Sequence, residues 1–169
     1  TSRLNRNLRL DKHWSYGTAG QLATARGQRP FIVIAPVQTD KTKESIVEVM
    51  KELREIGGAR PIVGQEFSSI MRTQTLSLPG RFATLASLET AASQIVNYRY
   101  PDEYFSTYAR RVRTLGERDL DAAARKFIRP SEVIWLVLGD LKQIEAGIRE
   151  LNLGEVVRLD DDGRPVTNR

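Results

Sequence analysis

Leu8-Arg9-Leu10-Asp11-Lys12-His13-Trp14-Ser15-Tyr16-Gly17 is the segment on which the reading of this chain turns. Its first half reads as the end of an amphipathic helix over residues 1–13, with Leu4, Leu8 and the following Trp14 as the apolar stripe. Its second half turns directly into a strand. Arg9 and Tyr16 stand on either side of that junction. A guanidinium fork and a phenol both donate to carbonyl or carboxylate oxygens, so two such donors at a helix end and a strand start suit one face of a binding site. A surface arginine beside a core tyrosine gives the same pattern.

Downstream, Tyr16 to Ala25 and Phe31 to Val37 read as strands joined around Arg26-Gly27-Gln28-Arg29-Pro30. The nearly unbroken apolar run Phe31-Ile32-Val33-Ile34-Ala35 predicts a strand covered on both faces. Thr39 or Asp40 is suited to cap the next helix. Ile46, Val49, Met50, Leu53 and Ile56 then repeat at helical spacing until Gly57-Gly58. Further helices are predicted from near Gly64 to the Leu78-Pro79-Gly80 break, from Phe82 to about Tyr98, from Pro101-Asp102-Glu103, and after Gly116. Val133 to Leu138 reads as a buried strand ended by Gly139-Asp140. A helix to about Leu151 follows, then a short strand Val156–Leu159 and an outgoing turn at Asp160-Asp161-Asp162-Gly163. No repeat or linker divides the chain, so the expectation is a single α+β domain over residues 1–169, a sheet with helices largely on one face.

Composition removes several classes of function. With 169 residues, 40% hydrophobic and 28% charged, the chain reads as an ordinary globular protein with a core to bury. No apolar run approaches a membrane span, and no signal segment opens the sequence. There is no cysteine, which removes disulfides, thiolate metal sites and cysteine nucleophiles. Cytosol and periplasm both suit a cysteine-free chain. The opening Thr1-Ser2-Arg3-Leu4 falls inside a predicted helix, which is expected of a fragment or a processed chain.

The formal charge of +5 arises unevenly. Residues 1–29 hold Arg3, Arg6, Arg9, Lys12, Arg26 and Arg29 against Asp11 alone, whereas the rest of the chain balances. Such an end attracts anionic partners, but basic side chains spread around a solvated helix give the same count. Nucleic-acid binding is not expected, because no reader motif or interleaved aromatics accompany the charge.

His13 is the only histidine, so neither H-E-x-x-H nor H-x-x-E-H occurs. It is expected at an exposed helix end. Ser15 beside it lacks the G-x-S-x-G setting of a nucleophile. Gly17 and Gly20 are not a phosphate fingerprint, since no strand–glycine–helix order surrounds them. The contiguous Asp160, Asp161 and Asp162 lack the alternating ligands of a calcium loop and read as a solvated turn.

Ser2-Arg3-Leu4-Asn5, Leu8-Arg9 and Ser15-Tyr16-Gly17 together resemble the "SRLN…LR…YG" segment of the C-terminal, metal-free half of the pitrilysin–insulinase family of zinc metallopeptidases. Arg60-Pro61-Ile62, Leu78-Pro79-Gly80-Arg81-Phe82, Pro101-Asp102-Glu103-Tyr104, Asp119-Leu120 with Ala123-Ala124-Arg125, and Val137-Leu138-Gly139-Asp140 follow in similar order. The resemblance implies a processing-peptidase-like half-domain with a largely antiparallel sheet and helices mainly on one face. That half lacks its N-terminal strand and part of the first helix here, so a free sheet edge invites self-association. It implies that zinc sits in a homologous half on the same or a separate chain, with no cofactor in this one. It further implies that Arg9 and Tyr16 bind peptide substrate beside the scissile bond, and that this half alone is inactive. A scaffold subunit with no part in hydrolysis, and an anion-binding protein using the basic residues 1–29, are the competing expectations.

Overall fold

A computed structural model describes residues 2–166. Thr1, where the predicted helix would begin, and the last three residues of the expected 1–169 domain lie outside the described residues. The fold is α+β and rich in helix, with one two-stranded antiparallel sheet among the described residues. The chain divides into two compact units. One comprises the described residues of 1–19, 33–50 and 134–169, and the other residues 20–32 and 51–133.

In the first unit, the predicted N-terminal helix forms as a wide-turn helix, Asn5–Asp11. It closes with Lys12 N–H donating to the Asn7 carbonyl five residues back, at 3.0 Å. This π-type winding is rare and recurs at functional sites. Leu8 is wholly buried, and Ile46, Val49 and Met50 on α1 (Thr42–Ile56) are buried with only slight exposure. Those three are successive members of the stripe at helical spacing. Thr39 and Asp40 do not cap α1. They belong to a 3₁₀ turn, Thr39–Lys41, that leads into it, and the Thr39 carbonyl accepts from the Thr42 hydroxyl at 2.9 Å.

The last helix of the first unit, α6 (Leu141–Glu150), starts at Asp140, whose carboxylate accepts from Lys142 N–H at 3.1 Å. It packs against the Thr39–Lys41 turn. Two ion-pair groups brace it. Glu145 receives hydrogen bonds from Arg149 at 2.6 Å and from Arg158 at 2.7 Å, and Glu150 pairs with Lys43. The bonds from Arg158 first and Arg149 second hold the Glu145 carboxyl below its ordinary value of 4.5, and Lys43 does the same for Glu150. A depressed carboxylate contributes stability that is present above its unfolded value and lost as pH falls through the lower folded one. The melting temperature of the wild type is therefore expected to drop on acidification below about pH 4.5. A double Glu145→Gln, Glu150→Gln variant should melt lower at neutral pH but lose less on acidification. Parallel acid limbs would contradict this.

In the second unit, α2 (Gly64–Leu76) packs on α4 (Tyr104–Arg113), and α3 (Leu85–Tyr98) on the 3₁₀ turn Pro79–Phe82. Phe82 meets Phe105 edge-on at 5.4 Å, and Ala91, Phe105, Val112 and Ala124 are buried. Thr84 caps α3 in a reciprocal box with Ser87. The acids Asp102 and Glu103 lie in the turn ahead of α4 rather than in its first turn, because Tyr104 N–H bonds to the Pro101 carbonyl. Asp119, in the first turn of α5 (Glu117–Phe127), accepts from Gly116 N–H at 2.7 Å. Gly57 and Gly58 end α1 without entering the left-handed region. A Cβ on Gly58 would stand 3.0 Å from the Arg54 carbonyl oxygen, so close approach is what glycine permits there, whereas one on Gly57 would meet Arg125 at an ordinary 3.5 Å.

The strands depart most from expectation. The sheet is a hairpin of β1 (Ala19–Leu22) and β2 (Phe31–Ile34). Tyr16 lies in the turn before β1, not in a strand, and Phe31, Ile32 and Ile34 are exposed rather than covered. Val133 to Leu138 forms no ladder among the described residues. Ile134, Leu136 and Leu138 are 94%, 72% and 85% exposed, while Val133, Trp135 and Val137 between them are half-buried. The alternation of a strand is kept, with one face bare. Val156–Leu159 is likewise no ladder strand. Leu159 makes a single antiparallel bridge to Pro165, across a turn in which the Asp160 carboxylate accepts from Asp162 and Arg164 N–H.

Candidate substrate-positioning site

The helix-to-turn junction is organised by a few backbone groups. The Leu8 carbonyl accepts from Trp14 N–H at 2.9 Å and from Ser15 N–H at 3.2 Å. His13 has φ +58°, which folds the chain back sharply enough to make both bonds. The Ser15 hydroxyl donates to the Pro36 carbonyl at 2.5 Å, and Ser15 pairs in an antiparallel bridge with Val37. Gln38 completes the seam, bonding to Trp14 and His13 through their carbonyls.

Asn5 fixes the other side. Its amide nitrogen donates to the Thr18 carbonyl at 2.7 Å and its oxygen accepts from Thr18 N–H at 2.8 Å. One side chain thus serves both backbone groups of Thr18, as a neighbouring strand would. Ser2 in turn receives hydrogen bonds from Asn5. The Ser2 and Asn5 of the "SRLN" segment therefore hold the stretch that follows Tyr16-Gly17. Asn7 and Lys12 both reach Glu48 on α1, at 2.8 and 3.4 Å, and the Lys12 ammonium stands 5.3 Å over the Trp14 ring.

Arg9 directly follows Leu8, and Tyr16 directly follows Ser15. Because the Leu8 carbonyl bonds to the Ser15 amide, standard backbone dimensions keep the Arg9 and Tyr16 Cα atoms within about 11 Å. Both side chains are exposed, Tyr16 completely, and among the described residues neither makes a hydrogen bond, ion pair or ring contact. The backbone is held firmly while the two side chains remain available. The seam that holds them was not foreseen in the sequence. Asn5 was visible there only as part of a motif, and the Leu8 carbonyl carries no side-chain signal at all.

His13 is exposed at the helix end, and no group of three or more His, Cys, Asp or Glu among the described residues is placed to hold a metal ion. Among those residues no helix is long and apolar enough to cross a membrane. Arg60, of the Arg60-Pro61-Ile62 motif, pairs with Glu52 and, at 2.6 Å, with Glu55, bracing the end of α1.

With this geometry in place, the chain resembles the crystal structure of a peptidase M16 inactive domain from Pseudomonas fluorescens, with a TM-score of 0.67 at 17% identity. The fold is M16-like. The match covers 76% of this chain and 30% of the length of that neighbour. No family model matches the sequence, and no curated protein matches it.

Proposed function

We propose that this chain is the non-catalytic, substrate-positioning half of a clam-shell zinc metallopeptidase, and that a homologous half supplies the zinc. The observation that carries the reading is the pairing of two free donors, Arg9 and Tyr16, on one tightly bonded junction. In this role both donate to backbone oxygens of a peptide next to the scissile bond. They orient it and help to stabilise the negative charge that develops there. Recognition of backbone rather than side chains accommodates varied peptide sequences. With one histidine, the sequence contains neither the H-E-x-x-H nor the H-x-x-E-H pattern of a zinc peptidase.

The bare row Ile134, Leu136 and Leu138 supports a partner. Three large apolar side chains on one face of an extended segment are costly to leave in water, and a homologous half offers them cover. The same row favours a second reading, in which the chain is a scaffold subunit through which no substrate passes.

The test is reconstitution. The chain is mixed with a homologous zinc-bearing half, assembly is followed by sedimentation, and cleavage of a fluorogenic peptide is recorded. Cleavage is expected only in the mixture, with none by this chain alone. Assembly without any gain over the zinc-bearing half would leave the scaffold reading standing and remove the proposed one.

A further inference from the structure

The second unit carries an arginine-lined cleft that the Arg9–Tyr16 reading does not use. Arg26 and Arg29, on the turn between β1 and β2, face Asn97, Tyr98, Arg99 and Tyr100 at the end of α3 across an open cleft of about 410 Å³. Such a volume suits a ligand of several residues or a small molecule. No carboxylate lines it.

Two of the three arginines are held in position. Arg26 donates to the Asn97 side-chain oxygen at 3.1 Å. Arg29 donates to the Ala23 carbonyl at 2.8 Å, and its guanidinium lies 5.1 Å over the Tyr98 ring. Arg99 ends α3 at φ +53°, an uncommon conformation for a side-chain-bearing residue. Among the described residues none of the three has a carboxylate partner. Three like charges around one opening repel each other, and an oxyanion entering between them relieves that repulsion.

The rings around the cleft narrow the choice of anion. Tyr98 already carries Arg29 on its ring, and Tyr100 is stacked on Tyr104 with centroids 4.1 Å apart. One face of each ring is therefore already covered by the protein, which leaves less surface for nucleobases to stack on. The guanidinium forks point to planar carboxylates, which they can meet with paired N–H donors.

We propose that the Arg26–Arg29–Arg99 cleft binds a segment of acidic peptide through its side-chain carboxylates. This site stands independently of the Arg9–Tyr16 assignment, since its geometry lies wholly within residues 20–32 and 51–133.

The test is fluorescence anisotropy with a labelled glutamate-rich peptide, its glutamine-matched counterpart, and a single-stranded oligonucleotide of equal length. The glutamate peptide should bind more tightly than either. Arg26→Gln and Arg99→Gln, at exposed positions, should each weaken it about tenfold, with circular dichroism unchanged. Arg29→Lys keeps the charge but loses the fork, and should also weaken binding. Equal affinity for the glutamine peptide, tighter binding of the oligonucleotide, or indifference to all three substitutions would overturn the proposal. So would displacement of the peptide by inorganic phosphate at concentrations no higher than the peptide's own Kd, which would make a free phosphate the ligand.

Discussion

Leu8→Ala is expected to destabilise the first unit by about 2–5 kcal/mol, the range for removing a fully buried leucine. Leu8 is the one side chain among the described residues that is completely buried, and it sits in the wide-turn helix immediately before Arg9. Truncation leaves a cavity under the residue whose carbonyl receives both Trp14 and Ser15. The loss should therefore appear as faster hydrogen exchange at the Trp14 and Ser15 amides as well as a lower melting temperature. Leu10, two residues on, is half exposed. Leu10→Ala should stay within about 0.5 kcal/mol of the wild type. Equal effects at the two positions would show that the junction is not anchored by Leu8.

The second large effect concerns turnover. In the reconstituted peptidase, Arg9→Ala and Tyr16→Phe are each expected to lower kcat by about 10²–10³-fold, the loss typical of removing one donor aimed at developing negative charge. Neither substitution should disturb the fold, because both side chains are exposed and make no contact among the described residues. That separation makes the experiment informative. A drop in kcat with KM little changed marks a donor that acts in the transition state, whereas a rise in KM alone marks ground-state binding. Tyr16→Phe removes only the hydroxyl and is the sharper of the two.

The helices were legible because their signal is local. Ile46, Val49 and Met50 repeat at helical spacing and are buried together, and Gly64, Gly116 and Asp140 start helices where their sequence context places them. Strands were harder because a strand depends on neighbours that its own sequence does not contain. Val133 to Leu138 has the composition of a buried strand, yet it finds no ladder among the described residues and leaves every second side chain bare. Phe31 to Ile34 pairs with β1, yet Phe31, Ile32 and Ile34 stay exposed. At the site, Arg9 and Tyr16 were visible as residue types and through a resemblance. The Leu8 carbonyl and the Asn5 clamp that position them emerge only in three dimensions. The cleft was least visible of all, since Arg26 and Arg29 meet Arg99 from a distant part of the chain and no spacing rule joins them.

The proposed function requires that Arg9 and Tyr16 touch substrate. Its most direct test is a crystal structure of this chain assembled with an inactivated zinc-bearing half and a bound peptide. The Arg9 guanidinium and the Tyr16 hydroxyl are expected within hydrogen-bond distance, about 2.7–3.2 Å, of peptide backbone oxygens beside the scissile bond. Both side chains turned to solvent, with the peptide held by other residues, would contradict it.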